Sequence, residues 1–426
     1  MKSGNNFRKR IFTLMMICVL TILTGCSTYN SFKYTFIDKG TDESENVITI
    51  GVLEPTTGKN ADNGKQEIKG IELANSIYST VLGCRVELVE VDTQSSVSAT
   101  KAAVQGLIEM KPAAIIGCAG EATSLAASEY IEEAGIPAIT PSATNPLITV
   151  ENGYYFRASL TESQMGEGLA EYAYKELGST QIGEVTVKND TSAMALLDGF
   201  DDKIKDLAGR KKNAVKLSME INTTDEELAG VIDSIKEKDI EVCFVSLGAA
   251  EMDKLLTLAE ENNLTDVVFL GTRSWGQDDF VKVMEKHPDI KVVFPYVSVL
   301  SDTNSASEDL TEETQRFTIE YANRYGTDDI PTDYAARGYD AYLLILNAIH
   351  NAGSTDGAEV REAMHDISNM QCVTGVFSFD ERGNVVRSVN LSTITDGAVV
   401  SEYVTESESE STDIEKIESA LDNPEE

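Results

Sequence analysis

From residue 47 onward, short apolar runs of strand length alternate with longer segments whose apolar residues recur at helical spacing. This alternation restricts the chain to few folds. Residues 47–53 form a near-continuous apolar run, and Ile68, Ile71, Ala74, Ile77 and Tyr78 then mark one face of a helix. Further strands are predicted at 85–92, 113–117 and 137–140, separated by helices near 97–110 and 121–134. Strands that are apolar throughout are buried on both faces, and strands joined through helices run parallel. After 154–159 the alternation restarts, with strands at 182–188, 214–219, 241–246 and 267–270 between helices near 163–177, 193–207, 225–238 and 251–263. The sequence therefore predicts an α/β chain of two doubly wound units in tandem. Beyond 291 come another strand, helices near 312–325, 333–351 and 358–367, and a hairpin of 375–380 with 384–395 turning at 381–384.

The N-terminus carries a different signal. Lys2, Arg8, Lys9 and Arg10 precede an apolar run from 11 to 23 that is short for a spanning helix, so residues 1–25 read as a signal peptide. It ends in Leu23-Thr24-Gly25-Cys26, which resembles the lipobox of bacterial lipoproteins. The resemblance implies cleavage before Cys26 and lipid on its sulfur, with several acyl chains holding the protein at the outer face of the membrane. Residues 26–46 read as a tether. Residues 401–426 carry ten acidic side chains and one lysine, the composition of an acidic disordered tail. The formal charge of −36 argues against a nucleic-acid partner, and an anionic ligand would need a local basic exception.

Outside the signal and the lipid site, the cysteines are Cys84, Cys118, Cys243 and Cys372. No CxxC pair occurs among them, which favours buried free thiols over disulfides and offers no metal site. The chain also lacks a Gly-x-Ser-x-Gly elbow, a P-loop, Gly-x-Gly-x-x-Gly and His-Glu-x-x-His, so nothing supports a hydrolase or a nucleotide-dependent enzyme.

Ligands of open α/β sheets bind where loops leave the carboxyl ends of strands. Three loops of the first unit fit that position: 53–58 running on to Gly64, 117–124 with Gly117 and Gly120, and 140–146 with Thr140, Ser142, Thr144 and two prolines. Gly51-Val52-Leu53 with Pro55-Thr56-Thr57-Gly58, then Lys69-Gly70-Ile71-Glu72-Leu73-Ala74, Ala114-Ile115-Ile116-Gly117, Gly135-Ile136-Pro137 and Thr140-Pro141-Ser142-Ala143-Thr144-Asn145-Pro146 resemble the type I periplasmic binding proteins of the branched-chain amino acid ABC transporter family. Gly338-Tyr339-Asp340-Ala341 and 375–383 fit that family's final helix and closing hairpin.

The resemblance implies two Rossmann-like lobes joined by three crossovers, near 157–159, 294–296 and 374–375, with hinge closure on a ligand in the cleft. It assigns 47–158 with 297–374 to one lobe and 159–296 with 375–400 to the other. Ser142 and Thr144 match the positions that hold an amino acid's head group, and Gly120, Ala122 and Ala143 stand beside them. Glu121 falls where relatives place a small hydroxyl residue, and Arg273 where amino-acid binders place an acid, a reversal that leaves the two side chains to pair with each other or with the ligand. Asn63, Ala193 and Gly248 occupy positions where relatives offer aromatic rings, and Trp275 is the expected replacement for that wall.

The function so implied is that of an extracytoplasmic, lipid-anchored substrate-binding protein. It is a monomer without cofactor, it is not an enzyme, and it delivers a small polar ligand, an amino acid, related amide or small metabolite, to an ABC transporter permease. A ligand sensor acting with a separate membrane receptor is the alternative.

Overall fold

A computed structural model describes residues 46–150, 152–209, 214–296 and 311–405; the predicted signal peptide and Cys26 lie outside the described residues. The first apolar series folds into a six-stranded sheet of β1 (Val47–Glu54), β2 (Thr80–Val81), β3 (Cys84–Asp92), β4 (Ala114–Ile116), β5 (Ala138–Thr140) and β6 (Tyr155–Arg157), ordered β2-β3-β1-β4-β5-β6. All pairings are parallel except the short β2–β3 hairpin. β4 and β5 are buried at every position, as their apolar runs require.

The second series places β7 (Ile182–Val187), β8 (Val215–Ile221), β9 (Val242–Val245), β10 (Val268–Leu270) and β11 (Val292–Pro295) in a second parallel sheet. Local chemistry starts its helices. Thr161 with Gln164 and Thr224 with Glu227 form capping boxes that satisfy the free N–H groups of helices Glu162–Glu171 and Asp225–Glu237. In each sheet the first strand lies inside the order with later strands on both sides, β1 between β3 and β4 and β7 between β8 and β9. That reversal opens a crevice at the strands' carboxyl ends.

The chain crosses back after β11, because helices Glu312–Tyr325 and Asp333–Ala352 pack on helix Ala61–Ile77 of the first unit. The closing segment corrects the sequence reading. β12 (Met370–Gln371), β13 (Val376–Phe379) and β14 (Val385–Val386) form a small antiparallel sheet attached to the first lobe, not to the second. Asn384 bridges Arg157 of β6, and the Phe379 ring meets Phe156 edge-on at 5.3 Å. The third crossover therefore falls between β14 and β15 (Asn390–Thr395), past the expected 374–375. The predicted second hairpin arm, 384–395, is divided between two sheets.

The first residues of the expected acidic tail form a strand instead. Ala398–Val404 forms β16, paired antiparallel with β15 on the edge of the second sheet, and Thr405 is buried. None of the seven residues of β16 is buried, which suits an edge strand that needs no continuous apolar run. Residues 406–426 lie outside the described residues. Cys84, Cys118, Cys243 and Cys372 are free thiols.

Candidate functional site

The crevice of the first sheet holds a cavity of about 510 Å³, bounded by Asn60 and Asn63 after β1, by 119–123 after β4, by Ser142 and Ala143 after β5, and by Arg273 and Tyr334. Asp92, at the end of β3, shapes the first of these loops: its carboxylate accepts from Thr56 N at 2.8 Å and from the Thr57 hydroxyl at 2.7 Å. Asn60 Nδ2 then reaches Ala119 O at 3.3 Å. A side chain on Gly120 would stand 2.5 Å from that Asn60 nitrogen, so glycine is what lets the two loops meet.

Glu121 does not point at a counter-charge across the cleft. Its Oε1 accepts from the Thr144 N–H at 2.9 Å and the Thr144 hydroxyl at 3.1 Å, and its Oε2 accepts from Asn145 N at 2.8 Å. Buried Arg157 holds the same turn from behind, donating to Asn145 O and to Asn384 Oδ1, and burial lowers its pKa to about 10. The donors expected to take a ligand at Thr144 are thus engaged by the chain itself, because a carboxylate one loop away satisfies them without one. Ala143 is likewise anchored: the Ser159 hydroxyl donates to its carbonyl at 2.5 Å. Ser142 and the 119–122 backbone remain on the cavity wall.

Arg273 faces the cleft as expected, but its nearest carboxylate is Glu162, with Nε to Oε1 at 3.9 Å. Glu162 lies 3.4 Å from the Thr144 hydroxyl, so Glu121, Thr144, Glu162 and Arg273 form a chain from one lobe to the other. Burial raises the pKa of Glu162 although Arg273 opposes it. Glu121 and Arg273 therefore have separate partners within the protein and do not pair with each other.

Trp275 is not a cleft wall, contrary to expectation. Its side chain is fully buried in the second lobe's core, stacked on Phe280 at 4.5 Å, with Nε1 donating to Leu247 O at 2.8 Å. The 3₁₀ turn Arg273–Gly276 turns Arg273 outward and Trp275 inward.

Beneath the Ala119 loop lie two buried acids that sequence reasoning missed. Glu54, at the end of β1, accepts from Ala119 N at 2.6 Å, while Glu67, on helix Ala61–Ile77, stands against Glu54 and Ser142 with Arg337 and Asp333 nearby. Burial raises both carboxyls above the ordinary value, and the mutual charge adds to the rise at Glu54. In the window from the ordinary carboxylate pKa towards neutrality the folded chain then holds protons that the unfolded chain has released, so stability falls as pH rises. Glu67→Gln should remove its part of that fall, gaining about 1–3 kcal/mol over the parent at pH 8 relative to pH 5. Urea denaturation at the two pH values measures it, and an unchanged pH slope would mean that Glu67 is ionised in the fold.

Among the described residues no group of His, Cys, Asp or Glu is arranged to hold a metal ion, and no helix is long and apolar enough to cross a membrane.

The model of a family described as periplasmic binding protein matches residues 47–398. The chain is 25% identical over 344 residues to an amino acid binding protein of Pseudomonas aeruginosa, covering 79% of this chain and 87% of that one. It is 23% identical over 352 residues to Leu/Ile/Val-binding protein homolog 3 of Brucella melitensis, covering 79% and 88%. A crystal structure of a leucine binding protein from Thermotoga maritima superposes with a TM-score of 0.64 at 26% identity, covering 84% of this chain and 99% of that one.

Proposed function

Because the chain belongs to the periplasmic binding protein family, whose members are transport components rather than enzymes, we propose that it captures a small polar solute between its lobes and delivers it to an ABC transporter permease. The observation that carries this reading is the convergence of three polar loops, after β1, β4 and β5, on one cavity of about 510 Å³ that Arg273 of the second lobe also bounds. Such a cavity has the dimensions of a small-molecule site. Amino acids and related amides are the first solute class to consider, since the named relatives carry amino-acid binding in their names. Lipid on Cys26 is the proposed anchor to the outer face of the membrane, supported by the small residues before it and the basic and apolar run upstream.

A thermal-shift screen of the full chain against amino acids, small amides, peptides and nucleobases tests the capture. A ligand that binds only the folded state raises the melting temperature, the more so the further its concentration exceeds Kd. For the compound that does so, Ser142→Ala should weaken binding by about 1–3 kcal/mol, the usual effect of an unmet buried polar contact. Unchanged affinity in calorimetry would move the site away from this loop. For the anchor, Cys26→Ser should shift the protein from the membrane to the soluble fraction, and unchanged fractionation would refute it.

A further inference from the structure

The cleft continues past Asn63, Arg273 and Tyr334 into a second cavity of about 1000 Å³. Lys65, Lys69, Arg273, Arg337 and Arg387 line it against Asp62, Asp278 and Asp333. In a chain with 35 basic and 71 acidic residues this is a local reversal of charge. Most of these cations already have acids: Lys69 meets Asp329 at 2.6 Å, Arg337 meets Asp333 at 2.7 Å, and Arg273 stands 3.9 Å from Glu162.

Arg387 differs. Its Nη1 donates to Thr374 O at 2.8 Å and to the Thr374 hydroxyl at 3.1 Å, and its guanidinium lies 5.1 Å over the Phe377 ring. Its Nε is buried without a partner among the described residues. Asp340, the acid nearest in influence, has its oxygens taken by Val373 N, Thr374 N and the Thr374 hydroxyl. Burial, with the charge of Arg337 beside it, brings the Arg387 pKa down to about 10. A half-buried cation served, among the described residues, only by neutral acceptors is costly, and an anion brought into the cleft would offset that cost.

We infer that Arg387 and Arg337 form a second subsite that takes an anionic group of the solute, a carboxylate or phosphate, while the Ser142 loop takes its polar end. This rests on the solute-binding reading and deepens it by naming the ligand class: an elongated anion rather than a single neutral amino acid. Two linked cavities give such a molecule room that one amino acid leaves to water. Arg337 stands on helix Asp333–Ala352 of the first lobe, and Arg387 stands on the crossover just before Val389 and Asn390, which line the same cavity. An anion held there would therefore bear on the hinge as well as on the pocket.

Calorimetry and thermal shift on the full chain, with glutarate, N-acetylglutamate, glycerol 3-phosphate and inorganic phosphate set against glutaramide and glycerol, test the subsite. The expected result is that an anionic probe binds and its neutral counterpart does not, with the carboxylate and phosphate arms telling which anion is preferred. Arg387→Gln should weaken that probe about tenfold or more, with Arg387→Lys losing less, since a charge-assisted contact is removed in one and partly kept in the other. Arg337→Gln gives the same test should Arg387→Gln fail to fold. A neutral probe that binds, with affinity unchanged in Arg387→Gln, would overturn the subsite and leave the solute-binding reading intact. No shift with any of these probes would overturn the subsite, and the solute-binding reading would then stand or fall on the wider screen.

Discussion

Trp275→Ala should cost about 4 kcal/mol of folding stability, the range for truncating a large aromatic in a packed core. The ring stacks on Phe280, meets Phe294 edge-on at 6.3 Å, and lies so close to Gly271 that a β-carbon there would stand 2.3 Å from it. Removing it leaves a void that the parallel strands around it are too rigid to close, and it orphans the Leu247 carbonyl. Trp275→Phe should recover most of the packing and lose only the hydrogen bond, about 1 kcal/mol. Chemical denaturation measures both. Because Trp275 is the only tryptophan, its emission should also be blue-shifted and resistant to acrylamide in the folded protein. A stable Trp275→Ala variant that no longer binds solute would instead return this ring to the cleft.

Gly338→Ala and Gly70→Ala should each destabilise the first lobe by about 3 kcal/mol, the upper part of the range for overpacking. Helices Ala61–Ile77 and Asp333–Ala352 cross where these glycines face each other's backbone: a β-carbon on Gly70 would lie 1.8 Å from Ala335 O, and one on Gly338 would lie 2.2 Å from Glu67 O. Backbone cannot step aside as a side chain can, so the helices would have to separate. The second lobe repeats the device, with Gly166 against Leu196 O at 1.9 Å and Gly199 against Ser163 O at 2.1 Å. Gly106 is the control, since nothing stands within 4 Å of its would-be β-carbon and it lies inside helix Val97–Glu109. Gly106→Ala should stabilise by about 0.5–1 kcal/mol through helix propensity alone. Melting temperatures of the three variants measure the contrast, and a Gly338→Ala protein as stable as Gly106→Ala would show that the helices do not touch there.

Gly338 and Gly106 look alike in the sequence, and only their neighbours separate them. The same limit applied at the site. The loops around Gly120 and Ser142 were legible because a strand end followed by glycine, serine or threonine is a local pattern with a local cause. Glu162 gave no such signal, since its relation to Arg273 depends on a loop more than a hundred residues away. Glu54 and Glu67 passed as ordinary acids of an acidic chain, yet one caps the Ala119 amide and both are buried. Trp275 was misplaced for the converse reason: Gly-Thr-Arg-Ser around it reads as an exposed loop, and a short 3₁₀ turn is enough to reverse which side chain faces the core.

By itself, then, the sequence determined the two α/β units, the order of nearly every strand and helix, and the loops that line the crevice. Apolar periodicity and capping act over a few residues, so they survive without the rest of the fold. The tertiary structure decided what depends on distant segments: that 370–386 belongs to the first lobe, that 398–404 is an edge strand, that Glu121 closes on the Thr144 turn, and that Arg387 is half-buried near Arg337 with no acid paired to it among the described residues. Those outcomes rest on which donor meets which acceptor across the fold, and on which charge is left over once the nearer ones have paired.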